Sequence, residues 1–206
     1  EILRNTIHSI SVLLWVLLAA GTPEAWCEDP QTALRGVPLI YSTDLFHPYD
    51  DPDDHYDLAT LFALPEFDLK AVVLDLGDRQ KLKPGRLPLE QMMHITGRRV
   101  PFATGLSGKL KTSDDKATNQ PAEDQAGVEL LLATLREAGE PVTIFTAGSQ
   151  RDVCAAFNRE PDLFRAKVAR LYVNIGSTDS TVEWNVTLDL NAYLGLMRSG
   201  LPIYWC

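Results

Sequence analysis

Six aspartates lie within the fourteen residues from Asp44 to Asp57, in the segment TDLFHPYDDPDDHYDLATLFAL. Asp44 ends a β-like apolar run, and Asp53 and Asp54 precede an apolar pattern that is typical of a helix. Carboxylates brought this close repel one another unless protons or a cation lie between them. Because Asp44, Asp53 and Asp54 would meet at one strand-to-helix turn, the segment predicts a site for a divalent cation.

A simpler account of the same residues is helix capping. Asp51 followed by Pro52 fits an N-cap and a first helical residue, and acidic residues in a first turn favour the helix dipole. Capping does not account for Asp44, nor for the further charge at Asp50 and Asp57. A metal site therefore explains more of the segment than an acidic cap does.

The donor types indicate which cation the site would take. Oxygen ligands suit Ca²⁺ and Mg²⁺, whereas zinc sites are usually built from nitrogen and sulfur. The oxygen-rich set favours Ca²⁺, with Mg²⁺ as the second choice, although His47 and His55 flank the cluster. Each histidine is interpreted as a neighbour of the ligands, a substrate-side residue or a solvated loop residue. The segment lacks the central Gly and the terminal Glu of an EF-hand loop, so we expect a different scaffold.

Short apolar runs alternate with helix-like segments from residue 37 onward, which predicts an α/β fold. The predicted strands are continuously apolar, as in a parallel sheet that is buried on both faces. We expect an open, mostly parallel sheet with helices on both faces, and ligands that bind beyond the carboxyl ends of the strands. The predicted strands are Val37–Thr43, Leu69–Asp75, Val100–Thr104, Val142–Thr146, Leu171–Ile175 and Ile203–Cys206. The predicted helices lie near 54–64, 88–96, 122–138, 149–158 and 188–198.

Charge and cysteine content restrict the classes of partner. The formal net charge of -9 argues against binding nucleic acid through a basic surface. The three cysteines, Cys27, Cys154 and Cys206, are too widely spaced to suggest a disulfide framework or a zinc site. Cys154 is expected to be a buried apolar residue. We therefore expect a small-molecule ligand and no nucleic acid, and the sequence leaves a homo-oligomer open.

Residues 1–27 have the pattern of a signal peptide and leader. Arg4 precedes an apolar run from Ile10 to Ala20, which small and polar residues follow. The run is shorter than the roughly 20 residues that span a bilayer, so no stable membrane span is expected, although an uncleaved anchor stays open. We expect an exported protein, periplasmic or extracellular, in which residues 28–206 form one α/β domain.

Three segments, in order along the chain, resemble nucleoside hydrolases and their relatives. The strand, Asp44, DPDD and the apolar helix are similar to the amino-terminal metal motif of that family. VTIFTAGSQRDVCAAFNREPDLFRAKVARLYVNIGS is similar to its strand, Gly-containing turn, helix and following strand. EWNVTLDLNAYLGLMRSGLPIYW is similar to its Glu-aromatic-Asn segment, helix and next strand. The resemblance covers nearly everything from Pro38 to Cys206 and implies the Rossmann-like nucleoside hydrolase fold.

The resemblance implies a role for each matching acid. Asp44 matches the first metal aspartate, which in the family also serves as the catalytic base, and Asp53 and Asp54 match the paired acids before the helix. Asp51 is a further candidate ligand. Ala147 lies where the family usually has a Thr whose backbone carbonyl binds the metal, a role that an Ala can keep.

The resemblance also implies contacts with a sugar. Glu183 and Asn185 match the Glu and Asn that hold the sugar. Asp78 lies where the family usually has a sugar-binding Asn, so it adds a charge beside the sugar. In the alternative interpretation, Glu183 and Asn185 are loop residues satisfied by the backbone. Trp184 is then a core residue, and Asp189 caps the helix that begins near 190.

These implications favour Ca²⁺-dependent hydrolysis of the N-glycosidic bond of a ribonucleoside or a related riboside. The cation would hold a water and the sugar hydroxyls, and Asp44 would take the proton of that water. The alternative is a secreted, Ca²⁺-stabilised protein that binds a sugar or nucleoside without turnover. The chain begins with Glu instead of Met, and the family carries a later segment with another metal aspartate and a histidine. We therefore expect a truncated, catalytically incomplete chain.

Overall fold

The computed structural model describes residues 36–178 and 182–206. Within them, six parallel strands form one sheet in the order β3-β2-β1-β4-β5-β6. The strand order changes direction between β1 and β4, and in open α/β sheets ligands bind at such a switch point. The strands are β1 Val37–Thr43, β2 Phe67–Leu74, β3 Phe102–Thr104, β4 Val142–Ala147, β5 Val168–Val173 and β6 Ile203–Trp205.

Eight α-helices connect the strands within the described residues. They are α1 Asp53–Ala63, α2 Gly77–Gln80, α3 Arg86–Thr96, α4 Ala126–Glu137, α5 Arg151–Arg159, α6 Pro161–Lys167, α7 Trp184–Leu188 and α8 Leu190–Met197, with a 3₁₀ turn at Ala122–Asp124. The expectation of a parallel α/β sheet with helices on both faces is confirmed. No helix of residues 36–178 and 182–206 has the length and apolar character that crossing a membrane requires.

Each face of the sheet carries its own apolar core, because successive side chains of a strand point to opposite faces. Ile40 and Ile144 belong to the core that includes side chains of α4, α5 and α8. Tyr41 and Leu74 belong to the opposite core, with side chains of α1 and α3. This two-sided burial explains why the strands are continuously apolar in sequence. Cys154 is fully buried in the first core, as predicted.

Three helices were not predicted from the sequence. These helices are α2, with 4 residues, α6, with 7, and α7, with 5. Helices of this length are too short for apolar residues to show a helical repeat in the sequence. Two of them lie beside the candidate site, because α2 follows β2 and α7 begins at Trp184, within the Glu-aromatic-Asn segment. The predicted signal peptide and leader at residues 1–27 lie outside the described residues.

Candidate metal and substrate site

The carboxyl ends of β1, β2 and β4 bring the chemistry-bearing residues together at the centre of the sheet. Thr43, the last residue of β1, pairs with Leu74 at the end of β2 and with Ala147 at the end of β4. Asp44 follows Thr43 directly, and Asp75 follows Leu74. Three strand ends therefore present two acids and one backbone turn at the switch point of the sheet.

Three further acids converge where the chain enters α1. Asp51, Asp53 and Asp54 each offer a carboxylate oxygen, and these oxygens lie within 4.8 Å of one another. Asp51 and Asp53 are exposed, whereas Asp54 is 6% exposed. Oδ1 of Asp54 accepts hydrogen bonds from the hydroxyls of Tyr41, at 3.1 Å, and Thr43. Strand β1 therefore orients the buried member of this acidic group.

The start of α1 differs from the predicted cap. The helix begins at Asp53, Pro52 occupies the capping position, and no side chain caps the helix. A hydrogen bond between the Asp51 and Asp53 carboxyl groups is the main cause that raises the pKa of Asp51 to about 6. The capping account of Asp51 therefore does not hold, because its carboxyl group faces a neighbouring acid and does not cap the helix.

Asp44 lies beside the acidic group and shares its electrostatic environment. Burial, followed by the charges of Asp54 and Asp75, raises the pKa of Asp44 to about 9. Burial likewise raises the pKa of Asp54 to about 7. Protons held by these carboxyl groups reduce their mutual repulsion, and a cation would do the same. The donors are all oxygen atoms, which fits a hard divalent cation such as Ca²⁺ or Mg²⁺.

A cavity of about 370 Å³ lies against these acids. Its lining consists of Asp44, Phe46, Asp50, Asp51, Arg79 and Trp184. The Arg79 guanidinium lies 4.4 Å from the centre of the Phe46 ring and forms an ion pair with Asp50. A larger cavity of about 630 Å³ lies near Pro38 at the amino end of β1. The convergent acids, not the cavity size, therefore identify the candidate site.

Trp184 forms part of the cavity wall and is 61% exposed. The alternative interpretation of Trp184 as a core residue is therefore wrong. The side chain lies on the first turn of α7, a helix with no buried residues. An exposed indole on the cavity wall offers a flat apolar surface to a ligand.

The two predicted sugar-binding residues of this segment have backbone partners. Glu183 caps α7, accepting hydrogen bonds from the backbone N–H groups of Asn185 at 2.7 Å and Val186 at 3.2 Å. It also accepts one from the Gly176 N–H at 2.8 Å. The Asn185 amide donates to the Asn174 carbonyl at 2.9 Å. These bonds agree with the alternative interpretation of both residues, and they hold the segment that presents Trp184.

Asp78 lies in α2, directly after β2, and is exposed. Its neighbour Arg79 lines the cavity, which places this helix beside the candidate site. Leu76 precedes the helix with φ of 60°, and this left-handed residue turns the chain sharply away from the strand. Asp78 thus lies in a short helix that follows the strand.

Ala147 is buried at the end of β4, where a metal-binding carbonyl was predicted. The following turn contacts Asp75, which sequence reasoning assigned only to the end of a strand. The Asp75 carboxylate accepts hydrogen bonds from the Ser149 N–H at 2.5 Å and from the Ser149 hydroxyl at 2.8 Å. The sequence does contain a signal that could have identified Asp75. It is an acid that ends the apolar run AVVLD, just as Asp44 follows the end of a strand.

Comparisons with known proteins agree with this geometry. No family model matches the chain. The pyrimidine-specific ribonucleoside hydrolase RihA of Escherichia coli O127:H6 is 28% identical over 188 residues, covering 81% of this chain and 58% of RihA. The chain thus spans somewhat more than half the length of this curated relative.

Two solved structures show the same fold. One is the inosine-uridine preferring nucleoside hydrolase from Bacillus anthracis, with a TM-score of 0.63 and 17% identity, covering 82% of this chain and 64% of that one. The other is a plant nucleoside hydrolase, with a TM-score of 0.61 and 20% identity, covering 82% of this chain and 59% of that one.

Proposed function

We propose that this nucleoside hydrolase-like chain belongs to an exported enzyme that hydrolyses the N-glycosidic bond of a ribonucleoside or related riboside, with Ca²⁺ as its cofactor. One observation carries the proposal: Asp44 and Asp51 line a single cavity, and Asp51, Asp53 and Asp54 converge beside it. The similar proteins are named as nucleoside hydrolases, which supports the same reaction class.

The chain offers five groups to the cation. They are the carboxylates of Asp44, Asp51, Asp53 and Asp54 and the backbone carbonyl of Ala147. When bound, Ca²⁺ supplies positive charge that orients the sugar hydroxyls and makes a water easier to deprotonate. The hydrogen bonds from Tyr41 and Thr43 to Asp54 hold one oxygen donor in place before the cation arrives.

Asp44 is the proposed general base. Its pKa of about 9 is raised by burial and by the charges of Asp54 and Asp75. A positive charge beside the acids favours the ionised form, so the pKa of Asp44 falls when a cation binds. Ionised Asp44 can then accept the proton of the attacking water. Carboxylates around the cavity also favour the positive charge that develops on the sugar as the glycosidic bond breaks.

The remaining contacts orient the riboside. Asp78, Glu183 and Asn185 are the proposed sugar-binding residues. The backbone hydrogen bonds of Glu183 and Asn185 favour an indirect contribution as well, because they hold Trp184 against the cavity. Phe46 and Trp184 supply apolar surface in a cavity whose other lining residues are charged.

The direct test is turnover of a nucleoside panel by the full-length protein, before and after treatment with a chelator. Uridine, cytidine, inosine and adenosine cover both classes of base. Release of reducing sugar that stops on chelation and returns with Ca²⁺ supports the proposal. Saturable binding without release of sugar would instead support a binding protein that lacks turnover. Turnover that persists in chelator would contradict the role of the metal.

Export has a separate test. The leader pattern of residues 1–27 predicts that the mature protein lacks residues up to about Ala25. Mass spectrometry of material recovered from outside the cytoplasm measures this directly. Recovered protein that still contains Trp15 would contradict cleavage.

A further inference from the structure

Asp75 makes contacts with two of the three strand ends that form the candidate site. It follows β2 and is 1% exposed. Its N–H donates to the Thr43 carbonyl at 2.8 Å, which ties it to the residue before Asp44. Its carboxylate accepts from the N–H and the hydroxyl of Ser149 at 2.5 and 2.8 Å, which ties it to the turn after Ala147. One residue therefore joins the backbone of both neighbouring segments.

The hydrogen bonds of Asp75 require both oxygens of a carboxylate. Oδ1 accepts from the Leu76 N–H at 2.7 Å and from the Ser149 hydroxyl, whereas Oδ2 accepts from the Ser149 N–H. A backbone N–H therefore points at each oxygen. An asparagine carries one oxygen and one NH₂ group, and in either orientation its NH₂ would face a backbone N–H donor. The site thus selects an acid and not its amide.

Gly148 lets the carboxylate approach the turn this closely. A β-carbon at position 148 would lie 2.6 Å from Oδ2 of Asp75 and 3.2 Å from the backbone nitrogen of Asp44. Asp75, Gly148 and Asp44 therefore pack in direct contact. Any shift of Asp75 changes the space that separates Asp44 from the Ala147–Gly148 peptide.

We propose that Asp75 is a positioning residue of the candidate metal site, which sets the Ala147 carbonyl against Asp44 by holding Ser149 and Gly148. The inference rests on the proposed metal site and adds to it a residue that does not itself bind the cation. Groups that orient metal ligands through hydrogen bonds commonly change metal affinity by about 10- to 100-fold when they are replaced.

The competing explanation is that Asp75 stabilises the fold alone. Metal affinity measured per folded molecule separates the two roles, because a purely structural residue changes stability and not the affinity of the molecules that fold. Asp124 provides a matched control. It is also a buried acid, 4% exposed, and its carboxylate pairs with Lys81 at 3.4 Å.

The experiment compares the full-length protein with Asp75→Asn, Ser149→Ala and Asp124→Asn by Ca²⁺ titration calorimetry and thermal unfolding. We expect Asp75→Asn to weaken Ca²⁺ binding at least tenfold and Ser149→Ala to weaken it less, because Ser149→Ala keeps the backbone N–H. Asp124→Asn should leave the affinity within about twofold while lowering Tm. With a neutral nucleoside as substrate, kcat should fall more than KM rises in Asp75→Asn.

Each result of this experiment either supports or overturns the proposed role of Asp75. Unchanged Ca²⁺ affinity in folded Asp75→Asn would overturn it while leaving the metal site intact. If Asp75→Asn does not fold, Ser149→Ala decides, and wild-type affinity in that variant overturns the inference. Absence of Ca²⁺ binding by the wild-type protein would overturn the proposed metal site itself, and the inference with it.

Discussion

Arg151 and Asp189 form an ion pair at 3.0 Å in which the two side chains are 3% and 1% exposed. Arg151 opens α5, and Asp189 lies between α7 and α8. The same guanidinium donates to the carbonyls of Leu106, Ser107 and Leu188. This pair therefore joins the loop after β3 to the segment that carries Trp184, and it fixes one wall of the candidate cavity from within the protein.

Replacing Arg151 with Ala should destabilise the fold by about 3–5 kcal/mol, because it leaves the Asp189 charge buried without its partner. Urea denaturation measures the change. Arg165→Ala is the control, since Arg165 pairs with an exposed Asp162 and should cost less than about 1 kcal/mol. Equal losses in the two variants would show that burial of the pair has no energetic importance.

Asp54→Asn should weaken Ca²⁺ binding at least tenfold, because it removes the charge of the one buried acid of the group. Asparagine keeps an oxygen that can accept from the Tyr41 and Thr43 hydroxyls, so the fold should persist. Calorimetry measures the affinity. Asp68→Asn removes a half-buried acid paired with Lys70, at the opposite end of β2, and should bind Ca²⁺ as the wild type does. Unchanged binding by Asp54→Asn would count against the site.

The metal-free protein should lose stability as pH rises from about 4 to about 9. The folded-state pKa values of Asp44 and Asp54, about 9 and about 7, lie above the ordinary value of 3.8. The folded state therefore binds more protons than the unfolded state in this range, and the resulting stability disappears as the carboxyl groups ionise.

Ca²⁺ should flatten this dependence, because the cation stabilises the ionised acids. The measurement is Tm at pH 5 and pH 8, in chelator and in Ca²⁺. The gain in Tm from Ca²⁺ should be larger at pH 8. A gain that is larger at pH 5 would contradict the proposed occupancy of the acidic group by the cation.

Trp184→Ala should raise KM for a nucleoside about tenfold while leaving Tm nearly unchanged, because the indole lines the cavity and is mostly exposed. Stacking of a base on an aromatic side chain is worth about 1–3 kcal/mol. Tyr56→Ala removes another exposed aromatic, on α1, and serves as the control. Equal KM values in Trp184→Ala and the wild type would exclude a binding role for this wall.

The sequence predicts the sheet better than it predicts the site. Strand β1 matches its predicted bounds, Val37–Thr43, because an apolar run that stops at an acid identifies both the strand and its end. The convergence of Asp51, Asp53 and Asp54 is also predictable, since adjacent residues at one helix start cannot lie far apart.

The contacts between residues far apart in the chain could not be predicted from the sequence. The bond from Ser149 to Asp75 joins residues 74 positions apart, and the pair of Arg151 with Asp189 joins residues 38 positions apart. No local pattern encodes such partners, because they depend on which strands become neighbours in the sheet. The exposure of Trp184 has the same origin, since it depends on how α7 is held.

The position of β4 in the sheet affects the order in which the site forms during synthesis. Thr43 pairs with both Leu74 and Ala147, so β1 finds its first neighbour soon after it is made and its second much later. At about 5–20 residues per second, the ribosome needs roughly 5–20 seconds to produce the approximately 100 residues between Thr43 and Ala147. During that interval the Asp44 end of β1 is an open edge of the nascent sheet. The three strand ends of the candidate site come together only when β4 docks beside β1.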